Sequence, residues 1–188
     1  AQRLDDVHFH YIEGGWPGSN PKDARFFEMV KNIKFKNSRL TAFGSTRRAH
    51  TKAESCSNLK ALIKAGTPTC AIVGKSWDLH VTDVLKADLN ENLAMIADSI
   101  EYLKSMGREV LFDAEHFFDG YKNNSRYTTK VVKTALAAGA DFIVLCDTNG
   151  GSLPNEICAM VKRMSAHIPF EKMAIHTHND GGLAVANA

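Results

Sequence analysis

No run of about 18 apolar residues occurs in the 188-residue chain, which excludes a membrane-spanning helix. The four cysteines, Cys56, Cys70, Cys146 and Cys158, form no C-x-x-C pair, and Cys70 and Cys146 lie inside apolar runs. That is the usage of a reducing compartment with buried thiols in place of a disulfide frame, so the expected location is cytoplasmic. The net charge is only +2 and the basic residues are dispersed. Their densest group, Arg47-Arg48 with Lys52, has no interleaved aromatic residues, and nucleic acid is not an expected partner. No signal-peptide pattern occupies Ala1–Asp6, which carries no initiator Met and reads as the end of a helix already under way. Neither G-x-G-x-x-G nor G-x-x-x-x-G-K-[ST] follows any strand-like segment, which weakens the nucleotide-binding folds.

With 44% hydrophobic residues, the chain has the length and apolar content of one domain with a real core. Short apolar segments recur, each ending in polar residues or Gly: 9–14, 40–44, 69–74, 110–115, 142–147 and 173–178. Helical patterns fill the gaps, including 59–66, 90–106, 127–138 and 154–164. Gly66 and Gly107 sit where helix C-terminal glycines belong, and Pro154 opens a helix. The beat is about thirty residues, the length of a strand, a helix and two short loops. Alternating β and α with continuous apolar strands implies parallel strands covered by helices, either as a barrel or as an open doubly wound sheet. Acids and histidines close nearly every strand, at Glu13, Asp113, Glu115, Asp147, His176 and His178, and chemistry at many strand ends favours the TIM (β/α)8 barrel. Only six strands are present where a closed barrel has eight, so the expected architecture is an incomplete barrel, strands two to seven, with residues 1–188 part of one catalytic domain.

The sharpest chemical signal is His176-Thr177-His178-Asn179-Asp180, after the apolar run Met173-Ala174-Ile175. Alternation along a strand puts His176 and His178 on one face, about 6.6 Å apart along the backbone. Two imidazoles so placed can close on one ion with N–metal bonds of about 2.1 Å. Asp180 is expected to cap a helix starting near Leu183. His80 and His116 read as solvated loop histidines.

Longer strings carry a family resemblance. Tyr11-Ile12-Glu13-Gly14-Gly15-Trp16-Pro17-Gly18, Ala42-Phe43-Gly44-Ser45-Thr46-Arg47-Arg48, Phe112-Asp113-Ala114-Glu115-His116-Phe117-Phe118-Asp119-Gly120-Tyr121, Cys146-Asp147-Thr148-Asn149-Gly150-Gly151 and His176 to Asp180 run the whole length of the chain. Together they resemble the 2-isopropylmalate/homocitrate synthase family of metal-dependent barrels (the DRE-TIM metallolyases), relatives of hydroxymethylglutaryl-CoA lyase. The narrower strings are similar to its citramalate-forming branch. The resemblance implies an acyltransferase joining acetyl-CoA to pyruvate on a route to isoleucine, a divalent metal ion (Mg, Mn, Co or Zn) on His176 and His178, and a homodimer in the complete protein. It implies that Thr148 binds the keto-acid carboxylate, and that Glu13 sits beside the keto carbonyl or holds the missing metal-binding strand. Asp113, Glu115 and Asp147 remain alternative candidates for the base, with an Asx turn at Asp147 to Gly151 the plainer reading of the last. Arg47-Arg48 reads as a solvated basic turn, with CoA phosphates as the alternative. The family's metal-binding Asp in an R-D-G segment and its Asn in a G-N segment are both absent, and Asn187 follows the H-x-H pair too soon to replace the latter. Rival readings are a synthase for another 2-keto acid, a lyase running related C–C chemistry in reverse, an H-x-H metal hydrolase, and a fragment inactive by itself.

Overall fold

The computed structural model describes residues 1–188, whose helices alternate with strands along the chain. In order they are α1 (Gln2–Asp6), β1 (Tyr11–Glu13), α2 (Pro21–Val30), β2 (Arg39–Ser45), α3 (Ser57–Ala65), β3 (Thr69–Lys75), α4 (Asp78–Asp83), α5 (Leu89–Ser105), β4 (Glu109–Glu115), α6 (Phe117–Ala137), β5 (Phe142–Asp147), α7 (Pro154–Met164), β6 (Met173–Thr177) and α8 (Ala184–Asn187). The six strands form one sheet in chain order, every neighbouring pair parallel. Parallel neighbours need a crossover, and the helices supply it.

Strand parity sorts the side chains. On β4, Val110, Phe112 and Ala114 are fully buried in the main apolar core, while Asp113 and Glu115 line a cleft on the other face. Fully buried Phe112, Phe117, Phe118, Leu59, Leu62, Ile96 and Leu103 join helices to sheet there, each contributing about 2 kcal/mol by transfer from water. The opposite face is enclosed by curvature. Glu13, Phe43, Val73, Asp113, Cys146 and His176, one residue from each strand, line a single cleft of about 270 Å³. In a flat sheet the outer two strands would stand about 24 Å apart, so the sheet is curled into an incomplete (β/α)8 barrel, the architecture expected.

The helix ends follow local chemistry. Asn20 accepts from the Asp23 N–H at 2.9 Å with Pro21 in the first turn of α2, and Asp88 accepts from the Asn90 and Glu91 N–H groups at the start of α5. Gly66 and Gly107 take left-handed φ of +73° and +72° at the expected helix ends. The helix expected from Tyr127 begins earlier, at Phe117, and is interrupted at Asn124, whose φ of −143° is not helical. Asn124 Oδ1 accepts from the Tyr127 N–H at 3.2 Å and restarts the helix. In its first segment a Cβ on Gly120 would lie 2.8 Å from the Ser76 carbonyl oxygen and 2.9 Å from Trp77 Cα, so only glycine lets α6 approach the end of β3 so closely. Asp180 does not cap α8; the Ala184 N–H donates to Asn179 Oδ1 at 3.2 Å, because the turn brings Asn179 nearer.

Candidate active site

The cleft at the C-terminal ends of the strands gathers most of the expected residues. Glu13, Asp113, Glu115, Thr148, His176 and His178 all line it. The rings of His176 and His178 stack with centroids 4.9 Å apart, on one face as the alternation requires. His176 Nδ1 lies 4.0 Å from Asp113 Oδ2, and Asp113, then Glu13, raises the pKa of that imidazole against the opposing effect of burial. Glu13 is itself pushed up, first by burial and then by the Asp113 charge, so it holds a proton to higher pH than an ordinary glutamate.

Asp147 stands apart. Parity along β5 sends Cys146 into the cleft and Asp147 to the helix side, where it is fully buried. Its two oxygens accept from the Ser152 backbone N–H at 3.2 Å and the Ser152 hydroxyl at 3.0 Å. The turn reading is the one the geometry supports, and Asp147 does not reach the cleft to act as a base there.

Two further expectations change. Arg47 is buried, not solvated: its Nη1 meets Glu91 Oε1 at 2.7 Å and its Nε meets Asp98 Oδ2 at 2.8 Å. His80 and His116 are not free loop side chains either. Their rings lie 4.2 Å apart, with Trp77 stacked 4.9 Å from His80. The His116 N–H donates to Thr148 Oγ1 at 2.8 Å, fixing Thr148 at the cleft rim and leaving the threonine's own O–H free to donate.

Sequence reasoning missed Lys75, whose ammonium pairs with Glu115. A lysine closing the apolar run Thr69–Gly74 was the available signal. It also left Cys146 as a buried thiol only. Ligand atoms of Asp113, Cys146 and His176 all lie within 4.8 Å of one another, a group able to hold a metal ion. Burial, then the Asp113, Glu115 and Glu13 charges, raise the Cys146 pKa well above its usual value, keeping it a thiol. The remaining donors, imidazole nitrogen and carboxylate oxygen, suit Mn, Co, Zn or Mg.

A curled parallel sheet with acids and imidazoles at its C-terminal strand ends defines the (β/α)-barrel class of fold. The comparisons narrow the class. Residues 1–188 match the HMGL-like family, and the chain belongs to it. It is 55% identical over its full length to the (R)-citramalate synthase of Aquifex aeolicus, covering 36% of that protein, and 52% identical to that of Geobacter sulfurreducens, covering 35%. The homocitrate synthase of Sulfurisphaera tokodaii is more distant, 33% identical with all of this chain and 39% of that protein aligned. The chain thus spans about a third of the length of these curated relatives. Among solved structures, the hydroxymethylglutaryl-CoA lyase of Pseudomonas aeruginosa superposes with a TM-score of 0.79 at 18% identity, over 99% of this chain and 61% of that one, and shows the same fold. The resemblance to the citramalate-forming branch holds across the whole chain.

Proposed function

We propose that the full-length protein condenses acetyl-CoA with pyruvate and water to give citramalate and CoA. The observation that carries this reading is the 46–55% full-chain identity to proteins named (R)-citramalate synthase.

The cleft residues take complementary parts. His176 and His178, with Asp113 beside them, would hold a divalent ion, which would supply Lewis-acid polarisation of the keto carbonyl. The Thr148 hydroxyl, its oxygen already accepting from the His116 N–H, donates to the keto-acid carboxylate. Glu115 lines both this cleft and the neighbouring one bounded by Trp16, Leu85 and Lys75, so it stands where the acetyl methyl group would lie between the two. Glu115 takes a methyl proton, and the enolate carbon attacks the keto carbon. Glu13, whose pKa is raised first by burial and then by the Asp113 charge, donates a proton to the developing alkoxide. Water then cleaves the thioester, releasing the CoA thiol.

Thiol release by the full-length protein, with acetyl-CoA and each of three keto acids, tests the reading. Pyruvate is expected to outpace 2-oxoisovalerate and 2-oxoglutarate at least tenfold in kcat/KM, since one carbon in a fitted pocket is worth about 1–3 kcal/mol. Equal rates with 2-oxoisovalerate would place the chain with the isopropylmalate synthases instead.

A further inference from the structure

The cleft holds one donor that the condensation does not use. Cys146 on β5 is the register partner of His176 on β6, so the two side chains stand level on neighbouring parallel strands, and both line the cleft. Cys146 is buried, and its thiol donates to the Val144 carbonyl at 3.6 Å, a weak bond from a weak donor. Across from it, Asp113 is only 7% exposed. Its one ion-pair contact is His176 Nδ1 at 4.0 Å, too long for a hydrogen bond. A carboxylate buried without a hydrogen-bonded partner is costly, and a cation offsets that cost.

Ligand atoms of Asp113, Cys146 and His176 lie within 4.8 Å of one another, and His178 is not in the group. Donors bonded at about 2.0–2.3 Å to a tetrahedral ion sit roughly 3.5 Å apart, so these three need close by at most about 1.3 Å. The half-exposed His176 ring has room to swing, and the Val144 contact is easily given up. The charges also balance. A carboxylate and a thiolate bring two negative charges to a dication, whereas the His176–His178 pair brings none.

We propose that Asp113, Cys146 and His176 form a second coordination site, for a thiophilic divalent ion such as Zn²⁺. It excludes the ion of the His176–His178 pair, because both ions need His176. This inference shares that histidine with the metal reading above and adds a competing, inhibitory mode. As the ion binds, the Cys146 S–H bond breaks, a metal–sulfur bond forms and the proton leaves to solvent, with no change of oxidation state. Hard ions such as Mg²⁺ and Mn²⁺ leave the thiol protonated and stay on the imidazoles, while softer Zn²⁺ takes the thiolate.

The test uses the full-length, metal-stripped protein. Co²⁺, a coloured stand-in for Zn²⁺, should give the near-ultraviolet thiolate-to-cobalt absorption band in the wild type. Cys146→Ser, which keeps the size and the donor to Val144, should lose that band, and His178→Ala should keep it. In Mn²⁺-loaded wild type, added Zn²⁺ should release Mn²⁺, read as the paramagnetic resonance signal of the free ion. Cys146→Ser should need about tenfold or more Zn²⁺ for the same release, since even an outer-shell partner of a metal is worth about 10–100-fold in affinity. Should the serine variant lose the wild-type circular dichroism spectrum, Cys146→Ala takes its place. A wild type that binds Mn²⁺ but shows no thiolate band would overturn this site while leaving the metal reading standing. So would a band that survives in Cys146→Ser, or one that His178→Ala abolishes. A thiolate band in a wild type that binds no Mn²⁺ would support this site and overturn the metal reading instead.

Discussion

Replacing Arg47 by Met should destabilise the protein by about 2–4 kcal/mol, although the residue touches no substrate in this account. The Arg47 side chain is 6% exposed, and its partners differ: Glu91 is 16% exposed and Asp98 47%. The Asp98 contact is close to a surface pair and contributes about 0.5 kcal/mol. The Glu91 contact dominates. Without the guanidinium that carboxylate keeps only the His50 N–H at 2.8 Å, and leaving a mostly buried charge short of its partner costs about 3 kcal/mol or more before water relaxes around it. Two backbone consequences add to this, since the Arg48 carbonyl loses its donor and the loop after β2 loses its anchor. Urea unfolding of the full-length protein reads the effect. The double variant Arg47→Met/Glu91→Gln should recover a large part of the loss, because the uncompensated charge is then gone. A single Arg47→Met variant within 0.5 kcal/mol of wild type, or no recovery in the double variant, would refute the reasoning.

Two other outcomes are expected. Asp5 accepts from the Lys36, Asn37 and Ser38 N–H groups at 2.8–2.9 Å, contacts that outweigh its burial and lower its pKa from 3.8 to about 2. A carboxyl with a depressed folded-state pKa stabilises the fold above the unfolded value and loses that contribution as pH falls through the folded one. Asp5→Asn should therefore lower the urea midpoint at pH 7, with the gap from wild type closing between about pH 4 and pH 2; a gap constant over that range would contradict the assignment. The 188-residue polypeptide expressed alone should self-associate and turn over no substrate, because β1 and β6 are both open edges of a parallel sheet. Light scattering and thiol release check this, and a monodisperse monomer that forms citramalate would be the contrary result.

Most of the fold was legible because buried parallel strands are continuous apolar runs, and 142–147 stands as β5 without adjustment. The start of α6 was not, because the polar stretch Lys122-Asn123-Asn124-Ser125-Arg126 masks its period and Gly120 argues against a helix. Its reason is tertiary, the close approach to Ser76 and Trp77. The site was legible where polar residues alternate, as at Asp113 and Glu115 or His176 and His178. Asp147 was ambiguous for a physical reason: β5 is buried on both faces, so nothing in its apolar pattern says whether residue 146 or 147 turns inward. Arg47 looked solvated because its partners, Glu91 and Asp98, lie 44 and 51 residues away in the chain. Lys75 likewise gains its meaning only from the clefts that the curled sheet joins.

The central claim, that the cleft of His176, His178 and Asp113 is a metal-dependent condensing site, meets its most direct test in Mn²⁺ binding by the full-length protein. Electron paramagnetic resonance of metal-stripped protein titrated with Mn²⁺ should show one tightly held ion per chain in the wild type. His178→Ala should lose that ion and citramalate formation together while keeping the wild-type circular dichroism spectrum. A metal-stripped His178→Ala protein that still forms citramalate at the wild-type rate would contradict the account.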